Sequence, residues 1–75
     1  MFDKNIFCER LKTERLKIKK TQAQVGEATG CYKQRISRYE KGEQEPPLAT
    51  LVALADYFDV SLDYLVGRSD ISERR

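Results

Sequence analysis

The sequence predicts an all-α fold, a compact bundle of five short helices. Three observations predict it. Apolar residues recur at steps of three and four rather than two. No run of alternating β-branched residues and no Asn-Gly or Asp-Gly turn marks a hairpin. Finally, the periodic blocks are short and separated by Gly, Pro or a capping residue. A chain of 75 residues supports one domain and one core.

The first block, about residues 5–17, places Phe7, Leu11 and Ile18 at near-helical spacing, with Arg15 on the same stripe. The second starts at Thr21, with Gln24 three residues on. That spacing lets the two side chains satisfy free amides at a helix start. It runs to about residue 29 and stops at Gly30. A third block, about residues 32–41, ends at Gly42. Residues 43–47 form a polar connector, and Pro47 suits the first turn of a fourth helix, where its missing N–H goes unused. Leu48, Leu51, Leu54, Ala55 and Phe58 then form a core stripe. Asp59 and Val60 turn the chain, and Ser61 caps a fifth helix carrying Leu62, Leu65 and Val66, which Gly67 stops. The folded domain is expected over residues 1–67, with residues 68–75 as a flexible C-terminal tail.

Composition narrows the chemistry. Without His there is no Ser-His-Asp or Cys-His device and no His-based zinc site, and two Cys fall short of the four ligands of structural zinc. No apolar run reaches the ~18–20 residues that cross a bilayer, and the N-terminus lacks the basic start and apolar stretch of a signal peptide. Cys8 and Cys31 read as reduced, buried or half-buried small residues. The expectation is an intracellular, cytoplasmic module that is not an enzyme and uses no cofactor, metal or small-molecule ligand.

The net charge of +2 hides an asymmetry. Residues 1–42 carry eleven basic and five acidic side chains, whereas residues 43–75 carry three basic and seven acidic ones. A field lopsided in this way orients a molecule toward a polyanion.

The second and third blocks are joined by a very short link at Gly30 and Cys31, so the two helices must cross steeply. Gly26 lies four residues before Gly30, and Ile36 six after it. A small residue at the approach, a turn glycine and an apolar anchor make a helix-turn-helix arrangement over about residues 21–41. On a wheel at ~100° per residue with Lys33 at zero, Ser37, Lys41, Gln34 and Arg38 fall at roughly 40°, 80°, 100° and 140°. Tyr32, Ile36 and Tyr39 fall on the opposite side, at roughly 240–300°. One face is thus apolar or aromatic; the other is all donors, with no acid. Arg and Lys pair with guanine O6/N7, and Gln grips adenine N6/N7 with two bonds.

These residues resemble the Cro/repressor-type, XRE-like family of helix-turn-helix transcriptional regulators, with the lambda-repressor-like domain as its fold. The resemblance rests on Thr21-Gln22, the small residue at 26, Gly30 and the run Ile36-Ser37-Arg38-Tyr39-Glu40-Lys41-Gly42. It continues through Pro46, Thr50-Leu51, Ala55 and the run from Val60 to Gly67, and so covers residues 7–67. It implies that Gln22 holds a phosphate at the start of helix two, that Lys33, Gln34, Ser37 and Arg38 face the major groove, and that Lys41 meets the backbone. It also implies that Arg15 and Glu40 form a structural ion pair between helix one and the end of helix three.

Three positions depart from the family pattern. Tyr32 stands where Ser or Thr caps helix three; it either packs on the core or touches the sugar-phosphate backbone. Gly26 replaces Ala, and Lys20 replaces an apolar residue, completing a basic run with Lys17 and Lys19.

The function these readings support is sequence-specific binding of double-stranded operator DNA by a bacterial or phage regulator, in the first place a repressor. It would act as a homodimer on the nucleoid, with half-sites about one helical turn, ~34 Å, apart. The alternative is an antitoxin or accessory module whose DNA binding depends on a protein partner on the acidic C-terminal half. No membrane association is expected.

Overall fold

The computed structural model describes residues 2–74. Five helices follow one another: α1 (Lys4–Lys17), α2 (Gln22–Ala28), α3 (Lys33–Lys41), α4 (Leu48–Phe58) and α5 (Leu62–Leu65). Among the described residues there is no strand, and no helix is long and apolar enough to cross a membrane.

Local chemistry explains most of the helix starts. Asp3 caps α1 by accepting from the Ile6 amide at 3.2 Å, and Ser61 caps α5 by accepting from Tyr64 at 3.0 Å. At α2 both halves of the capping box are made: Thr21 Oγ1 accepts from the Gln24 amide at 3.1 Å, and Gln24 Oε1 accepts from the Thr21 amide at 2.9 Å. Tyr32 and Pro47 start α3 and α4 without a side-chain cap. Pro47 therefore precedes its helix rather than lying in the first turn.

All five helices end in one way. The residue after the last turn enters the left-handed region, and its two flanking amides close back on the helix carbonyls. For α3, Glu43 N–H donates to Arg38 O at 2.9 Å and Gly42 N–H to Tyr39 O at 3.3 Å. The equivalent outer bonds are Lys20 to Arg15, Cys31 to Gly26, Val60 to Ala55 and Arg68 to Asp63. Glycine holds the left-handed position at 30, 42 and 67, but Lys19 (φ 57°) and Asp59 (φ 56°) hold it at the ends of α1 and α4.

Phe7, Leu11, Val25, Ile36, Tyr39, Leu54 and Leu65 are fully buried, so every helix contributes to one core. Burying each such side chain is worth about 1.5–3 kcal/mol. Phe7 and Tyr39 meet edge to face with centroids 6.5 Å apart, which joins α1 to the inner side of α3. Two residues expected on core stripes are outside it. Ile18 is 43 % exposed because α1 ends at Lys17 and the Lys19 turn swings the chain away; Glu14 takes the third buried position. Leu48 is 68 % exposed because the first turn of α4 overhangs the core, which begins at Leu51.

Gly26 answers a steric demand that helix propensity does not show. A Cβ there would stand 2.7 Å from the Tyr32 carbonyl carbon and 2.8 Å from its Cα. The start of α3 is thus seated against α2 more closely than an alanine permits. Residues 68–74, read from sequence as a flexible tail, lie in this structure against the domain. Arg10 stacks over the Tyr64 ring at 4.0 Å and donates to Tyr64 O and Ser69 O, and the Ser61 amide donates to Ser72 O at 2.9 Å.

Candidate nucleic-acid interface

Helix α3 buries Ile36 and Tyr39 and turns its other side outward. Lys33, Gln34, Ser37, Arg38 and Lys41 together line one shallow depression along that outer side. The helix holds them in register, since residues three and four apart stack on one face. Glu43 closes the far end of the same depression. The expectation of an acid-free face is corrected here: the Gly42 turn folds the connector back and brings Glu43 to the rim. The terminator glycine was the available sequence signal for that reversal.

The C-terminal end of α3 is fastened by charge. Arg15 Nε donates to Glu40 Oε2 at 2.7 Å and Nη2 to Oε1 at 3.1 Å, a two-pronged pair whose side chains are only 12 % and 5 % exposed. The bond from Glu40 raises the pKa of the Arg15 guanidinium. Two further contacts extend the pair. Arg15 Nη1 donates to Lys20 O at 3.0 Å, and Gln22 Nε2 donates to Glu40 Oε1 at 3.2 Å. One buried carboxylate therefore ties α1, α2 and α3 together. Gln22 lies within this network, so a phosphate contact from it would use the second hydrogen of its amide.

Tyr32 is 51 % exposed at the start of α3, packed on solvent rather than on the core. Its hydroxyl accepts from Arg35 Nε at 3.2 Å. The hydrogen bond to Tyr32 raises the Arg35 pKa. Arg35 is the cation of α3 that the wheel reading left out; it sits near 200° on the wheel, on neither face, with its guanidinium 5.5 Å from the centre of the Tyr32 ring. Among the described residues, no three His, Cys, Asp or Glu side chains are grouped to hold a metal ion.

A second depression lies beside the first. Arg15, Leu16, Lys19, Lys20, Thr21, Gln22, Ala23 and Lys33 line it, so Lys33 is shared by both. From the sequence, Lys20 reads as a cation near the backbone-facing surface, and Lys19 only as part of the basic run with Lys17.

Comparison with known proteins places this geometry. A helix-turn-helix family model matches residues 11–65. An uncharacterised HTH-type transcriptional regulator, YobD of Bacillus subtilis strain 168, is 40 % identical over 65 residues, covering 87 % of this chain and 58 % of YobD. The transcriptional repressor RstR of cryptic phage CTXphi in Vibrio cholerae is 42 % identical over 60 residues, covering 80 % of this chain and 54 % of RstR. The chain thus spans about half the length of the curated relatives it matches. Among solved structures, the c2 repressor of phage P22 in complex with a synthetic operator superposes with a TM-score of 0.81 at 34 % identity. That match covers 85 % of this chain and 97 % of the repressor chain. With the family model spanning most of its helices and the short α2–α3 link at its centre, the chain belongs to the helix-turn-helix family.

Proposed function

We propose that this chain binds double-stranded operator DNA sequence-specifically and regulates transcription, as a repressor in the first place. The observation that carries this reading is the outer face of α3, where Lys33, Gln34, Ser37, Arg38 and Lys41 line one depression on a rigid helix. A helix fits the ~12 Å major groove, and these side chains supply the donors that guanine and adenine edges accept. The buried Arg15–Glu40 pair holds that helix against the body, and Gln22 and Lys41 would meet phosphates and set its register. The relatives named as repressors, and the operator bound to the P22 protein, support the reading.

In this proposal the chain acts as a homodimer in the cytoplasm, on the nucleoid, over residues 1–67. Selection of the purified chain on a random duplex pool at near-physiological salt tests it. An enriched inverted repeat with half-sites about 34 Å apart is expected. Folded protein that enriches nothing would overturn it. Leu48 and Val52 favour a second reading, a partner-dependent module, because they leave an apolar strip exposed on the acidic half. Sequence enrichment that appears only with a co-purified protein would select that reading.

A further inference from the structure

The turn between α1 and α2 has the same hydrogen bonds as the other four helix ends but a different kind of residue at its left-handed position. At three of those ends glycine takes the left-handed conformation, and at the fourth Asp59 does, a residue type that tolerates it. Lys19 has neither advantage: it is a long side chain held at φ 57°. Strained backbone retained at one position points to a role for the side chain it carries. That side chain borders the second depression together with Lys20 and Lys33. Among the described residues none of these three lysines is ion-paired, and no carboxylate lines the depression. Arg15, the fourth cation there, already spends its donors on Glu40 and Lys20 O. Leu16, 55 % exposed, and Ala23 add apolar surface beside the charges. Unpaired cations around an apolar patch match one repeating unit of a nucleic-acid backbone, a phosphate with its adjoining sugar.

We propose that this depression seats a backbone phosphate of the duplex, outside the base-reading face, with Lys19 and Lys20 as its outer ligands and Lys33 as the wall shared with that face. It rests on the reading of α3 as a duplex-binding helix. The geometry makes the contact independent of sequence, because it reaches only phosphate and sugar.

Lys19→Gly separates the two roles of this residue, since it relieves the turn and removes the cation. Lys19→Asn, also tolerant of the left-handed region, is the second neutral variant, and Lys19→Arg restores the charge. Lys4→Ala, about 20 Å away at the other end of α1, removes the same charge elsewhere. Each protein is titrated onto a 30-base-pair duplex of arbitrary sequence across a salt series, and its Tm is measured.

For both neutral variants we expect an unchanged or higher Tm, several-fold weaker binding, and a salt slope smaller in magnitude by about 0.9, the value for one phosphate. Lys19→Arg should restore the slope and Lys4→Ala should leave it intact. An unchanged slope in Lys19→Gly and Lys19→Asn would overturn the seat, as would an equal loss in Lys4→Ala, which would mean a net-charge effect alone. Wild-type protein that shows no salt-dependent duplex binding would instead bring down the reading of α3.

Discussion

Helices α3 and α4 are nine and eleven residues long, and each buries one stripe in the common core: Ile36 and Tyr39 in the first, Leu54, Ala55 and Phe58 in the second. Their outer surfaces are opposite in character. Every α3 residue that lines the first depression is a hydrogen-bond donor, whereas α4 leaves Leu48 and Val52 exposed, the latter by 42 %. The same division runs through the charges, basic over residues 1–42 and acidic after them. Inner stripes answer to the shared core and so resemble one another. Outer faces answer to whatever they meet, so the difference separates a cationic, donor-rich surface from a partly apolar one.

The contrast can be broken most severely at the pair that fixes α3. Glu40→Ala leaves the Arg15 guanidinium without its carboxylate and Gln22 without its acceptor. A loss of about 3 kcal/mol is expected, the low end for a buried pair because Arg15 keeps an edge to solvent, and Tm should fall by roughly 12 °C or more. Thermal melting followed by circular dichroism checks it; an unchanged Tm would show that α3 is held by the core alone.

A change on the outer face of α3 should act on recognition and spare stability. Gln34→Ala is expected to cost about 1–3 kcal/mol in binding at one base-pair position, with Tm nearly unchanged. Competition titrations against single-base-pair variants of the selected operator measure this, and a uniform loss at every position would move Gln34 from base contact to backbone contact. Tyr32→Ser sharpens the comparison from the stability side, since a serine there supplies the cap that α3 lacks. Stability should rise by about 1 kcal/mol, or roughly 4–8 °C in Tm. The smallest effect is expected on α4: Leu48→Ser touches no core contact and should stay within about 0.5 kcal/mol of wild type in stability. Sedimentation analysis then reads whether it weakens self-association, the outcome that would give the apolar strip a partner.

The helices and the residues that bound them were legible because their causes are local. Thr21 and Gln24, Ser61, Gly30, Gly42 and Gly67 each act within five or six residues of where they stand in the chain. The donor face of α3 was legible for the same reason, as a helix wheel needs only periodicity. Where reading went astray, the cause lay between elements. Ile18 left its stripe because the α1 terminator is a lysine, which carries none of glycine's signal. Gly26 looked like a poor helix former, yet its demand comes from Tyr32 across the turn. Glu43 reached the rim of the depression through the reversal at Gly42.

By itself, then, the sequence determined five helices, the caps at Thr21 and Ser61, the short link between α2 and α3 and which side chains share the outer face of α3, since hydrogen bonds and periodicities spanning a few residues decide all of these. Tertiary structure alone decided how closely α3 seats on α2, that Gln22 joins the Arg15–Glu40 pair, that Arg10 gathers residues 68–74 onto the domain, and that Lys19, Lys20 and Lys33 border one depression. Those outcomes depend on distances between residues far apart in the chain, and only packing the helices against one another sets them.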